Sequence, residues 1–209
     1  MSDDLGRFDG AWSGRELART PERWTIELTS DEIDDLDRAI TELEKTSIVD
    51  ITKADAPLPY LAPRLAEMRE TILHGQGFML ITGFPIERYS LEQAARAFWA
   101  VGAHIGVAVS QNAKGHALGH VRDLGFDPNV PSARGYQSNA RLSYHCDSGD
   151  IVALLSVQTS KSGGLSSLVS SPALYNAMAE RRPDLARVLM QPSYRDRRDE
   201  IPQGRKPWF

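Results

Sequence analysis

The amino-acid sequence predicts an α+β fold, and three observations carry that prediction. Apolar residues recur at helical spacing through the first half, a short apolar run at Phe78-Met79-Leu80-Ile81 interrupts them, and the region from Leu142 to Val169 is β-rich. At 209 residues the chain is long enough for one sizeable core, since domains commonly run to roughly 100–200 residues. No flexible linker separates the helical front from the β-rich part, so residues 1–209 are expected to form a single domain with 1–28 as an N-terminal arm.

The arm is polar and weakly periodic, and Trp12 and Trp24 are its expected docking points. Thr29-x-x-Glu32 is a capping box, in which hydroxyl and carboxylate each satisfy a backbone N–H that the first helical turn leaves unpaired. Leu28 and Ile33 are placed for a hydrophobic staple across that box, and Ile33, Leu36, Ile40 and Leu43 form the apolar face of the first helix. After the turn-rich Ala54-Asp55-Ala56-Pro57-Leu58-Pro59, a second helix face is made by Leu61, Leu65, Met68 and Ile72 and stops before Gly75 and Gly77.

The run Phe78 to Ile81, closed by Thr82-Gly83-Phe84-Pro85, reads as a buried strand. Ser90 and Gln93 make another capping box for a third helix carrying Leu91, Ala94, Ala95, Phe98 and Trp99. From Val101 to Arg141 glycine and polar residues break any long period, which predicts loops and short strands of the kind that surround a site.

Leu142 to Asp147 and Asp150 to Val157 read as strands, Lys161-Ser162-Gly163-Gly164 as a turn, and Leu165 to Val169 as a third strand. Ser171 is placed to cap a helix with Pro172 at its first position and Leu174, Ala177 and Met178 facing inward. A last short helix near Pro183 carries Leu185, Val188 and Leu189.

Charge excludes some partners. With 28 acidic against 24 basic side chains and a net charge of -4, no positive field draws in a phosphate backbone, so nucleic acid is not an expected partner. The run Arg195-Asp196-Arg197-Arg198-Asp199-Glu200 mixes signs and reads as an internally paired surface turn. Cys146 is the only cysteine, so no intrachain disulfide is possible and a reducing cytoplasm fits best. The acidic start Met1-Ser2-Asp3-Asp4-Leu5 is unlike a signal peptide, and no apolar run approaches the roughly 18 residues that span a bilayer, so no membrane anchoring is expected.

The chemistry concentrates at Tyr144-His145-Cys146-Asp147-Ser148. On a strand, residues two apart project from one face, so His145 and Asp147 would present an imidazole and a carboxylate side by side. Non-haem Fe(II) oxygenases bind iron with two histidines and one carboxylate, leaving positions open for co-substrate and dioxygen. His145 and Asp147 are two candidate ligands of that kind. Three-residue patterns arise often by chance, so the pair alone is a weak signal.

Its surroundings add weight. Arg141 to Ser148, followed by Ile151-Val152-Ala153-Leu154-Leu155 and Ser162-Gly163-Gly164-Leu165-Ser166-Ser167, resembles the TauD/TfdA family of Fe(II)- and 2-oxoglutarate-dependent dioxygenases. Gly77 to Pro85 looks like that family's N-terminal strand and turn, and Gln111-Asn112-Ala113-Lys114-Gly115 also has the look of its members. The resemblance runs from about Leu73 onward and is weakest between Ala117 and Arg134.

The resemblance implies a double-stranded β-helix (jelly-roll, clavaminate synthase-like) core with flanking helices. It also implies Fe(II) held by His145 and Asp147, with 2-oxoglutarate as co-substrate and Ser166 at its far carboxylate. The reaction implied is hydroxylation of a small organic molecule by dioxygen, with release of succinate and carbon dioxide.

The sequence departs from the family in one respect. Its histidines are His74, His104, His116, His120 and His145, whereas the family's second histidine ligand and its co-substrate arginine follow the His-x-Asp strand at a distance. Arg195, Arg197, Arg198 and Arg205 have no matching position, and the ending at Lys206-Pro207-Trp208-Phe209 looks like the start of another apolar segment. The expectation is therefore a jelly roll incomplete at the C-terminus, with impaired turnover; the alternative is a non-catalytic remnant that binds a small molecule or another subunit.

Other motifs carry less. His116-Ala117-Leu118-Gly119-His120 lacks the glutamate of a His-Glu-x-x-His zinc protease, and Gly115 and Gly119 weaken the helix it would need. Cys146 reads as a core or near-core thiol, since its strand neighbours face away from it. Gly75-x-Gly77 precedes a strand, whereas a Rossmann turn follows one. The substrate and the oligomeric state are left open by the sequence.

Overall fold

The structure is a computed structural model that describes residues 5–110, 116–125, 138–139, 141–147, 149–195, 204 and 206. The chain divides into two compact units: Met1–Ala108 with Ala153–Leu189, and Val109–Val152 with Met190–Phe209. The assigned helices and strands all lie in the first.

Both capping boxes form. Thr29 Oγ1 accepts from the Glu32 N–H at 3.4 Å while Glu32 Oε2 accepts from the Thr29 N–H at 2.8 Å, opening helix α2 (Ser30–Glu42). Ser90 and Gln93 do the same for α4 (Leu91–Ile105), with bonds of 3.2 and 2.8 Å. Between them runs α3 (Leu61–His74), and the three helices close on a core in which Leu36, Leu61, Leu65 and Ala97 have no exposed surface. Burying one such leucine stabilises the fold by roughly 1.5–3 kcal/mol.

The core depends on buried polar groups that finish helix ends. Asp35 of α2 is 1% exposed, and its Oδ2 accepts from the Tyr60 and Leu61 N–H groups at 2.7 and 3.0 Å, capping α3 from a neighbouring helix. Arg96 of α4, 3% exposed, donates to the carbonyls of Leu43, Glu44 and Thr46 at the end of α2. A cation at a helix C-terminus also complements the negative end of the helix dipole. Arg64 bonds both the Glu32 carboxylate and the Glu27 carbonyl.

The expected arm contributes more than its two tryptophans. It contains a short helix α1 (Gly14–Leu17) and strand β1 (Thr25–Glu27), which pairs in parallel with β2 (Leu80–Thr82) in the register Thr25↔Leu80. Trp12 and Trp24 dock as expected. Their indole N–H groups donate to the Gln76 and Leu17 carbonyls at 2.8 and 2.9 Å, and both rings lie within 6 Å of Phe78. The strand expected at Phe78–Ile81 is thus displaced to Leu80–Thr82, and it is an edge element with Leu80 46% exposed.

Further differences follow the packing. Helix α4 continues through Gly102 to Ile105, beyond Val101 where the sequence predicts loops and short strands. A helical glycine costs about 1 kcal/mol, and burial of Ala100 and His104 on either side outweighs it. The inward face of α4 is Ala94, Ala97 and Ala100, while Leu91 is exposed. Small side chains there let the helix approach its neighbours closely.

Helix α5 (Ser171–Arg181) is capped by Ser170, one residue before the expected cap, through a 3.2 Å bond from the Ala173 N–H. Its face toward the protein holds Tyr175 and Asn176, and Leu174 is exposed. Helix α6 (Pro183–Leu189) forms near Pro183, but its buried residue is Ala186, while Leu185, Val188 and Leu189 face outward.

The double-stranded β-helix is not seen among the described residues, where the only sheet is the two-stranded β1–β2 pair. The stretches Leu142–Asp147, Asp150–Val157 and Leu165–Val169 carry no strand assignment in their described residues, and their side chains lie mostly exposed. A strand is defined by its ladder, and β-propensity alone supplies no partner. No described helix is long and apolar enough to cross a membrane.

Candidate metal centre

The His-x-Asp pair lies in the second unit. Although residues 141–147 carry no strand assignment, the two side chains do come together: His145 Nε2 is 3.9 Å from Asp147 Oδ1. Both are more than half exposed, at 56% and 59%.

The other ring nitrogen has its own partner. His145 Nδ1 is 2.7 Å from the Ser143 carbonyl oxygen. A carbonyl can only accept, so Nδ1 donates in this bond, and Nε2 is the nitrogen turned toward the Asp147 carboxylate. This is the arrangement by which a metal-binding imidazole has its tautomer and ring orientation held from behind.

Two donors on one ion, each about 2.1 Å from it, can be at most about 4 Å apart. Ligands on one face of a metal stand about 3 Å apart, so the pair at 3.9 Å would have to close to share an ion. An imidazole with one carboxylate is a borderline-hard donor set that suits Fe(II). In donor type the two residues therefore fit the group the resemblance implies. Among the described residues no cluster of three or more His, Cys, Asp or Glu side chains could hold a metal.

Ser166 lies in the first unit, exposed, two residues beyond the Gly163-Gly164 turn. The turn forms as expected. Ser160 Oγ donates to the Gly163 carbonyl at 2.9 Å, and Gly163 and Gly164 adopt φ of +72° and +71°. A Cβ at Gly164 would sit 2.4 Å from Ser160 Oγ. The backbone angle favours glycine there, and an added Cβ would displace the Ser160 hydroxyl from its bond to the Gly163 carbonyl.

Of the remaining histidines, His116 and His120 lie on a stretch with no helix, so the paired helix-face arrangement is absent there. His74 is exposed beside Glu70. His104 is buried; its Nε2–H donates to the Ala56 carbonyl at 2.7 Å, and its Nδ1 has no partner. Cys146 is exposed, against the expectation of a core thiol. The residues Gln111–Gly115, Ser148, Arg197, Arg198, Arg205 and Pro207–Phe209, named in the sequence reading, lie outside the described residues.

Sequence reasoning missed the Ser143 carbonyl, because every residue has a carbonyl and no side-chain pattern marks the one that turns toward an imidazole.

His145 and Asp147, with one ring nitrogen held by Ser143, are thus a candidate pair of metal ligands. The sequence profile described as Taurine catabolism dioxygenase TauD, TfdA family matches residues 38–208. The chain belongs to this family.

It is 31% identical over 164 residues to FR-33289 synthase of Streptomyces rubellomurinus, which covers 78% of this chain and 48% of that protein. It is 26% identical over 190 residues to the taurine hydroxylase-like protein SAT17 of Stachybotrys chartarum, covering 87% of this chain and 49% of that protein. The chain spans about half the length of these curated relatives.

Proposed function

We propose that the protein is an Fe(II)- and 2-oxoglutarate-dependent oxygenase that hydroxylates a small organic molecule and releases succinate and carbon dioxide. One observation carries the reading. Inside the family-matched stretch, His145 turns its Nε2 toward the Asp147 carboxylate at 3.9 Å while its Nδ1–H is held by the Ser143 carbonyl. The names of the relatives, a synthase and a taurine hydroxylase-like protein, are in keeping with a small-molecule substrate.

In this reading His145 and Asp147 hold the iron, residues 1–209 belong to one jelly-roll domain, and Ser166 donates a hydrogen bond to the far carboxylate of 2-oxoglutarate. When bound, the ferrous ion supplies oxygen activation coupled to decarboxylation of the co-substrate. The chain's residues supply position. The Ser143 carbonyl holds the Nδ1 side of the ring, so that Nε2 is the nitrogen presented beside Asp147. Asp147 supplies a negative charge that offsets part of the charge of the cation. The Gly163-Gly164 turn sets the path of the backbone that carries Ser166.

Anaerobic Fe(II) titration of the purified chain tests the site. Binding is expected in the unaltered protein and is expected to be lost in His145→Ala and in Asp147→Ala. Addition of 2-oxoglutarate should tighten Fe(II) binding, and Ser166→Ala should weaken that effect. Equal Fe(II) affinity in the unaltered protein and both ligand variants would remove the assignment.

A further inference from the structure

The segment Leu5–Trp12 crosses the surface of the first unit and forms no helix or strand. It is held to α5 by side-chain bonds to its backbone. The Asn176 amide clamps Phe8 from both sides: the Phe8 N–H donates to Asn176 Oδ1 at 2.9 Å, and Asn176 Nδ2 donates to the Phe8 carbonyl at 2.8 Å. A carboxamide carries an acceptor oxygen and a donor nitrogen side by side, which lets one side chain answer both backbone groups of Phe8. Tyr175 adds a hydroxyl bond to the Leu5 carbonyl at 2.7 Å and an edge contact with the Phe8 ring.

These pins span a seam that is not close-packed. An open surface depression of about 350 Å³ lies between segment and helices, lined by Leu5, Arg7, Asn176, Ala179, Pro183 and Arg187. Phe8 itself is 54% exposed.

The far end is fastened differently. Trp12 is partly buried, bonded through its indole to Gln76, stacked near Phe78, and its backbone N–H meets buried Ser170 at 3.4 Å. Between the two anchorages stands Gly10 at φ +76°, with nothing within 4 Å of where a Cβ would be. That backbone angle is open to glycine and strained for most other residues.

We propose that residues Leu5–Asp9 form a hinged strap that docks on α5 and lifts from it as one unit about Gly10, while Trp12 and the three-helix core stay in place. Lifting uncovers the Tyr175–Asn176 face of α5. The device does not depend on the metal reading, because none of its residues belongs to that site.

Native-state hydrogen exchange of the full chain, followed at the Phe8 amide over increasing denaturant below the unfolding transition, tests this. The Phe8 amide should be protected, and its opening should show almost no denaturant dependence, as expected of local opening rather than global unfolding. Asn176→Asp keeps the acceptor and loses the donor, and Gly10→Ala changes only the backbone preference; each should speed Phe8 exchange by roughly tenfold. The core amides of α3 should be unchanged in both.

An unprotected Phe8 amide in the unaltered chain would overturn the docked strap. Exchange with the same denaturant dependence as α3 would overturn its independence. Unchanged Phe8 exchange in both variants would overturn the clamp and hinge.

Discussion

The Nδ1–H of His145 donates to the Ser143 carbonyl at 2.7 Å, and this bond decides which ring nitrogen faces Asp147. A histidine with a fixed tautomer is a better ligand than one that must reorganise, and support of this kind is typically worth 10–100-fold in metal affinity. Metal binding should therefore depend on His145 beyond its mere presence. His145→Gln, which cannot reproduce the held nitrogen, should bind Fe(II) at least about tenfold more weakly in equilibrium titration. Affinity equal to that of the unaltered chain would show that His145 is not a ligand.

Gly164 combines φ +71° with a missing Cβ that would stand 2.4 Å from Ser160 Oγ. Gly164→Ala should lower stability by about 1–2 kcal/mol from the backbone angle, with a smaller further loss as the Ser160 hydroxyl is pushed off the Gly163 carbonyl. Ser160→Ala in the same chain should remove this further part and leave the backbone part. Thermal melts of the two single variants and the double variant would separate the two causes, and additive effects would contradict the shared contact.

Asp35→Ala removes the acceptor for two N–H groups at the start of α3. Loss of a buried, charged cap should cost about 2–3 kcal/mol by denaturant unfolding. Asp35→Asn keeps one oxygen for those groups and should cost less. Equal losses would mean that charge matters more than the bonds.

Glu32 links pH to the fold. Burial raises its pKa, but the bonds from Thr29 and Arg64 outweigh burial and hold the carboxyl below its ordinary value of 4.5. Because the folded value is the lower one, its contribution is fully present above pH 4.5 and is lost as pH falls through the folded value. Glu32→Gln should be less stable than the unaltered chain at pH 7 by about 1–3 kcal/mol. The gap should narrow in melts below pH 4.5. A gap constant from pH 7 to pH 3 would contradict the linkage.

The front helices were readable because their signals are local. A capping box spans four residues and a helix face repeats within a dozen, so Thr29-x-x-Glu32 and Ser90-x-x-Gln93 announce helices whatever lies around them. Faces were less legible where tertiary packing chose between candidates: Leu91, Leu174 and Leu189 are exposed while Ala97 and Ala186 are buried. Strand β1 was missed because three residues carry almost no period, and its pairing partner Leu80–Thr82 lies more than fifty residues away. The strands expected beyond Leu142 show the converse, with β-rich composition and no described ladder.

At the candidate site, the His-x-Asp spacing identified the pair, and the neighbouring motifs pointed to a family that the profile match establishes. The sequence by itself thus determined the family, the helical front half and the identity of two candidate ligands, since each is written in short-range residue order. Only the tertiary structure decided that Asp35 and Arg96 close helix ends across the core and that Arg64 reaches the Glu27 carbonyl of β1. It alone showed Asn176 clamping the backbone N–H and carbonyl of a residue 168 positions away and the Ser143 carbonyl turning His145 Nε2 toward Asp147. These are hydrogen bonds to backbone groups, which every residue carries, so no pattern of side chains can mark them before the chain is folded.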